Sequence, residues 1–239
     1  MAIILEKSGD KHRIDLRKGK NSITGEIKIN LDWSKGSFLK QMFGKSIDLD
    51  LGCFYELRDG SKMLIDGLQF SHGRGGDRNQ RTRQGCYTQS PYIWHMGDDR
   101  GGSSESGETI LVNPIGIPNI KRITVYTFIF EGVAKWSDTN ATIKISVPGC
   151  EDVIVQMGQQ NCNKRFCAIA SIEIGQDNSI EVQKLVTFHN NHSECDRLYN
   201  WGFKYSVGSK YNLIVCNIAT FVKTKIHCLI VTFQKIHIS

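Results

Sequence analysis

The stretch Ile120–Glu131, IKRITVYTFIFE, decides which fold the chain can adopt. β-Branched and aromatic residues dominate it, and these residue types favour extended backbone. From Val125 onward, apolar side chains occupy both faces of the expected strand, whereas a half-exposed strand would alternate apolar and polar residues. We therefore predict a central strand that is covered on both sides.

Shorter strand-like segments lie on both sides of this stretch. Upstream, Glu26–Trp33 (EIKINLDW) and Ser46–Leu57 (SIDLDLGCFYEL) alternate apolar and polar residues. Downstream, the segments ATIKISV, DVIVQM, FCAIASIEI and SIEVQKLVTF are separated by short turns. One helix is predicted near Ser193–Tyr199, with Ser193 as its N-cap. This pattern predicts an all-β fold: a β-sandwich of two mostly antiparallel sheets with one short helix near the C-terminal end of the domain.

The net charge of +6 is concentrated in two segments. The Arg/Gly-rich segment 71–90 has four arginines and one acid, and the segment 211–239 has three lysines and no acid. Each contributes three positive charges, so the rest of the chain is neutral. The composition therefore does not indicate a basic nucleic-acid-binding domain.

The chain has features that we expect of a protein of the cytoplasm. Only Ala2–Leu5 is apolar before charges begin, which is too short for the apolar region of a secretory signal. No apolar run reaches the length that a membrane-spanning helix needs, so no membrane span is expected. The eight cysteines contain no CxxC pair, and we expect them to be thiols in a reducing compartment.

The segment 97–108, GDDRGGSSESGE, gathers four carboxylates among glycines. Clustered carboxylates repel one another unless a hard cation lies among them, and Ca²⁺ accepts irregular loops of oxygen ligands. Asp98, Asp99 and Glu108 are the candidate ligands in this loop. Asp48 and Asp50, two residues apart on one predicted strand face, could contribute to the same ion. The residues alone leave open a second interpretation, in which both acidic segments are simply solvated surface.

Several co-linear motifs resemble the TerD family of tellurium resistance and general stress proteins. They are DLDLGCFYEL (48–57), GDDRGG (97–102), GE (107–108), RITVYTFIFEG (122–132), CAIASIEI (167–174) and DRLYNWGFKY (196–205). The resemblance covers residues 1–210, the expected domain, and leaves 211–239 as an extension of unknown structure. It implies a non-enzymatic, calcium-binding β-sandwich that acts with other stress-response proteins. Its implied Ca²⁺ ligands are Asp48, Asp50, Asp98, Asp99 and Glu108.

One other function class fits the sequence. The insertion 71–90 resembles arginine-rich segments that contact phosphate, so the domain could bind an anionic ligand, either a nucleotide or a nucleic acid. Only Tyr87 offers an aromatic ring for base stacking there. An affinity for the anionic ligand that depends on salt and on the arginines, and that a chelator does not change, would distinguish this alternative from calcium binding.

Overall fold

The structure of the chain, a computed structural model, describes residues 2–16, 25–33, 47–70, 76–97, 107–131, 135–158 and 160–205. It confirms the all-β sandwich with one short helix. The strands are β1 (Ala2–Leu5), β2 (Lys11–Ile14), β3 (Ile27–Asp32), β4 (Asp48–Leu57), β5 (Lys62–Asp66), β6 (Gly85–Cys86), β7 (Ile93–His95), β8 (Glu108–Val112), β9 (Ile120–Glu131), β10 (Thr142–Ser146), β11 (Asp152–Gln156), β12 (Phe166–Ile174) and β13 (Ile180–His189). The helix α1 spans His192–Tyr199, and 3₁₀ helices span Pro114–Asn119 and Trp136–Asp138.

The strands form two sheets. The seven-stranded sheet has the order β1-β11-β10-β3-β8-β7-β6, and the six-stranded sheet has the order β2-β13-β12-β9-β4-β5. Neighbouring strands are antiparallel in every pairing of the described residues except that of β1 with β11. β9 lies inside the six-stranded sheet between β12 and β4, which confirms the central strand predicted from Ile120–Glu131.

Between the sheets lies one continuous apolar core. Leu49, Leu51 and Cys53 of β4 meet side chains such as Ile29 and Ile110 of the opposite sheet, and all five are fully buried. Since side chains of a strand alternate between its faces, Asp50, Gly52 and Phe54 point to the outer face of the six-stranded sheet.

That outer face carries a second apolar cluster, which α1 covers. The cluster is aromatic, with Phe54, Tyr126, Phe128, Phe166 and Trp201 among its members. β9 is therefore covered on both faces, as its apolar pattern predicts. Trp201 in this cluster and Trp33 in the core between the sheets are both buried.

A buried polar group joins this aromatic cluster to α1. The Asp66 carboxylate accepts hydrogen bonds from the Tyr126 hydroxyl at 2.7 Å and from His192 Nε2 at 2.9 Å. The His192 ring lies 4.7 Å from the Phe166 ring, measured between centroids, and 5.3 Å from the ring of Phe128. The first residue of α1 is thus anchored to the end of β5.

The N-cap of α1 is Asn191, so the prediction of Ser193 was wrong. The Asn191 side-chain oxygen accepts a hydrogen bond from the backbone N–H of Glu194. Ser193 lies inside the first turn, and its hydroxyl accepts a bond from Arg197 one turn later. Both residue types are good N-caps, and Asn191 holds the cap position because the helix begins at His192. Among the described residues, no helix has the length and apolar character needed to cross a bilayer.

Candidate metal centre

The site predicted from the acidic segments lies where β4 extends beyond its neighbour β5. The last pair of the β4–β5 ladder joins Gly52 to Asp66, whereas β4 continues back to Asp48 along β9. The backbone of Leu51 therefore has an N–H and a C=O that no residue of β5 pairs with.

Two side chains of the opposite sheet bond to this stretch of backbone. The Leu51 N–H donates to Glu108 Oε2 at 2.7 Å, and the Leu51 carbonyl lies 3.1 Å from His95 Nε2. Glu108 begins β8 and His95 ends β7, so both lie at the base of the loop that contains the acidic segment. The fold thus brings Glu108 of the acidic loop into direct contact with the strand that carries Asp48 and Asp50.

The hydrogen bonds assign a neutral form to His95. The backbone N–H of Gly97 donates to His95 Nδ1 at 3.0 Å, so this nitrogen carries no proton. The proton is then on Nε2, which donates to the Leu51 carbonyl. Although Nε2 is also 3.7 Å from Glu108 Oε2, a neutral imidazole does not balance the charge of the Glu108 carboxylate.

Asp50 is fully buried on the outer face of the six-stranded sheet, and both of its carboxylate oxygens are inaccessible to solvent. It lies against the turn that follows β5: a Cβ added to Gly67 would be 2.6 Å from Asp50 Oδ1. This burial contradicts the interpretation in which Asp50 belongs to a solvated strand face.

The other predicted ligands are less closely defined. Asp48 is half-buried at the start of β4. Its register partner is Glu131, whereas that of Leu49 is Ile129, so β9 has an extra residue at this point. Asp98 and Asp99 lie outside the described residues. Within the part of the chain that the structure describes, no three His, Cys, Asp or Glu side chains form a metal-binding group.

The C-terminal end of the acidic loop is attached to β3. Gly107 has φ +63°, and a Cβ at this position would be 2.0 Å from the Leu31 carbonyl oxygen. Only glycine can adopt this backbone so close to another strand. This contact places Glu108, the next residue, at the inner face of the sandwich.

The residues at the site fit a hard cation by their chemistry. Asp48, Asp50 and Glu108 each carry a carboxylate, the ligand type that Ca²⁺ prefers, and Asp50 and Glu108 are buried. Sequence reasoning missed His95, which bonds to the same backbone as Glu108. A lone histidine in an apolar strand, IWH, was the only signal of it.

The described arginines of the insertion 71–90 have partners within the domain. Arg78 forms an ion pair with Glu26 and lies over the Tyr87 ring at 4.9 Å from its centroid. Arg81 donates two hydrogen bonds to the Ser90 carbonyl. Arg74 lies outside the described residues. These contacts give Arg78 and Arg81 structural roles in holding the segment.

Comparison with known proteins finds no matching family model. The chain is 34% identical to the tellurium resistance protein TerA of Alcaligenes sp. over 207 residues, which are 84% of this chain. The chain spans 57% of that relative's length. Two solved structures are also similar. One is a protein of unknown function, with 11% identity, a TM-score of 0.48 and coverage of 72% of this chain and 92% of that one. The other is a homologue of the telluride resistance protein TerD from Streptomyces coelicolor A3(2), with 13% identity, a TM-score of 0.44 and coverage of 70% and 90%.

Proposed function

Since the chain belongs to the TerA- and TerD-like family of tellurium resistance proteins, we propose that it binds Ca²⁺ through Asp48, Asp50, Asp98, Asp99 and Glu108. Bound calcium would neutralise the clustered carboxylates and hold the acidic loop against the start of β4. In this role the protein is not an enzyme. It acts in the cytoplasm as a calcium-dependent partner of other stress-response proteins.

The contact between Glu108 and Leu51 is the observation that supports this proposal most. It brings one end of the acidic loop to the strand of Asp48 and Asp50, although 57 residues separate Glu108 from Leu51. The carboxylate of Asp50 on the same strand is buried, so two oxygens of the type that Ca²⁺ prefers lie out of reach of solvent. His95 holds the Leu51 carbonyl and the end of β7, which positions the start of the loop.

The proposal predicts that calcium stabilises the domain and that Glu108→Gln weakens this effect. A ligand at 100 times its dissociation constant adds about 2.7 kcal/mol to the free energy of unfolding. We expect the melting temperature of the parent to rise with Ca²⁺, and calorimetric titration to give at least about tenfold weaker binding for the variant, or about 1.4 kcal/mol. The variant keeps an oxygen that can accept the Leu51 N–H but removes a negative charge. Asp50→Asn and Asp98→Ala are expected to act in the same direction.

The matched control is Glu151→Gln, an exposed acid in the turn before β11. It should bind Ca²⁺ as the parent does. If Glu151→Gln weakens binding equally, Ca²⁺ affinity depends only on the overall charge of the protein. If titration of the parent with Ca²⁺ produces no heat of binding, the proposal is refuted. Parallel titration with Mg²⁺ tests the choice of ion, because Mg²⁺ needs a more regular octahedral site.

The interaction with other proteins needs a separate measurement. The protein, immobilised with excess Ca²⁺ and then with a chelator, would be exposed to purified stress-response proteins of the same cell. Retention that the chelator and Glu108→Gln both abolish is the expected result. Retention that is equal under both conditions would contradict a calcium-dependent role.

A further inference from the structure

At the other end of β4, the outer face of the six-stranded sheet has a groove of about 410 Å³. Arg58 of the groove lies eight residues beyond Asp50, so the groove is about 25 Å from the candidate metal centre at about 3.3 Å per strand residue. We call it the cationic groove. Its charged lining residues are Arg13, Arg58, Lys121, Arg122, Glu173 and Glu181.

A β-bulge brings two of these cations together. Glu56 pairs with Arg122, whereas the next residue, Leu57, pairs with Ile120, so Lys121 is an extra residue of β9. Lys121 Nζ and Arg122 Nε both reach the Glu56 carboxylate, at 2.8 and 2.7 Å. One acid thus faces two adjacent cations, and Lys62 adds a third at 3.9 Å.

The groove and its immediate surroundings have more positive than negative charge. Lys11 pairs with Glu181 and Arg13 with Asp177, which balances one side. On the other side, the three cations around Glu56 exceed its single charge by two. Arg58 adds one more positive charge, and Glu173 subtracts one. Six cations and four carboxylates therefore leave an excess of two positive charges.

Arg58 is held in place by neutral backbone carbonyls, which do not neutralise its positive charge. Its Nε donates to the Pro118 carbonyl at 3.1 Å, and its Nη2 donates to the carbonyls of Ile174 and Gly175 at 2.9 and 2.8 Å. Within the described part of the chain, no carboxylate forms an ion pair with Arg58. Its guanidinium is therefore oriented by neutral groups, and its Nη1 hydrogens remain for a ligand.

We propose that the cationic groove binds a small anion of the phosphate class, with Arg58 and Lys121 as its main contacts and Arg13 at its edge. An oriented guanidinium and a nearby ammonium are the donors that phosphate oxygens accept. The volume of the groove falls in the range of small-molecule sites, which suits an anion up to the size of a nucleotide. Glu173 repels the anion and keeps the affinity modest. This site is distinct from both the calcium ligands and the arginines of the insertion.

The test is calorimetric titration of the full chain with inorganic pyrophosphate and, separately, with AMP, at low salt and in excess chelator. The chelator removes Ca²⁺, so the outcome is independent of the calcium proposal. We expect binding that weakens as salt is added. Arg58→Gln combined with Lys121→Gln should reduce the affinity at least about tenfold, or 1.4 kcal/mol. Glu173→Gln should increase it about threefold to tenfold, because one repulsive charge is removed.

The matched control is Lys144→Gln, an exposed lysine on β10 of the opposite sheet. It should bind both anions as the parent does. Binding of pyrophosphate alone would assign the site to free phosphates, and tighter binding of AMP would assign it to nucleotides. If neither anion binds at millimolar concentration, or if Lys144→Gln weakens binding as much as the groove variants, the proposal is overturned. The single variant Lys121→Gln changes an exposed side chain, so it keeps the test valid if Arg58→Gln unfolds the domain.

Discussion

Asp66→Ala is expected to lower the free energy of unfolding by about 3–5 kcal/mol. The Asp66 carboxylate is fully buried and accepts hydrogen bonds from Tyr126, His192 and the backbone N–H of Leu68. The variant leaves a buried hydroxyl and a buried imidazole without their acceptor, which costs more than the lost bonds themselves. It also releases α1 from the end of β5. Urea unfolding followed by tryptophan fluorescence measures the change, because Trp201 belongs to the same cluster.

Asp59→Ala is the matched control, since this carboxylate is exposed and bonds only to Ser61 in the described structure. We expect it to cost less than about 1 kcal/mol. A loss below about 1 kcal/mol for Asp66→Ala would show that the buried group does not hold α1.

The contribution of Asp66 to the free energy of unfolding should also depend on pH. Burial alone raises the pKa of Asp66, but the hydrogen bond and charge of His192 and the hydrogen bonds from Tyr126 and the Leu68 N–H outweigh burial, so the pKa is lowered. A lowered pKa stabilises the fold above the unfolded value of about 3.9 and loses this contribution as pH falls through the folded pKa. The stability difference between the parent and Asp66→Asn should therefore be widest at neutral pH and shrink in acid.

The sequence predicted the fold because its strongest signal is local. Apolar residues on both faces of Ile120–Glu131 require cover on both sides, and only a strand inside a sheet with a layer on each face supplies it. The polar anchor of α1 could not be predicted in this way. In the sequence, Asp66 stands between apolar residues and Gly67, a pattern that indicates the start of a turn. Its partners Tyr126 and His192 are 60 and 126 residues away, and only tertiary structure brings them together.

The acidic residues of the candidate site could be proposed from the sequence, but the contacts that surround them could not. Alternation placed Asp48 and Asp50 on one face of a strand, and the structure shows Asp50 buried there. The contact of Glu108 with Leu51 arises because the pairing of β5 with β4 ends at Gly52. The residue pattern of β4 does not indicate how far its neighbour extends. His95 was missed for the same reason, because its role depends on a carbonyl of another sheet.

Gly52→Ala is expected to destabilise the domain by about 3 kcal/mol. Gly52 lies in the middle of β4, opposite both Tyr126 on β9 and Asp66 on β5. An added Cβ would be 2.3 Å from Tyr126 Cε2 and 2.8 Å from Asp66 Cβ, both too short for carbon atoms. The Tyr126 ring has no room to retreat, because it packs against Phe54 and Phe166 at 4.7 Å between centroids. Chemical denaturation of parent and variant measures the change.

A double-mutant cycle with Tyr126→Ala tests the cause of the stability loss in Gly52→Ala. The loss comes either from the clash with the Tyr126 ring or from replacing this glycine by any larger residue. Removing the ring makes room for the new methyl group, so the double variant should lose clearly less stability than the sum of the two single variants. Gly202→Ala is the control: it has φ +79° and open space around it, so only backbone strain of about 1–2 kcal/mol applies. Simple additivity in the cycle would contradict the steric explanation. A large coupling would show that the absence of a side chain at Gly52 is what lets Tyr126 reach Asp66, and so lets the sheet hold α1.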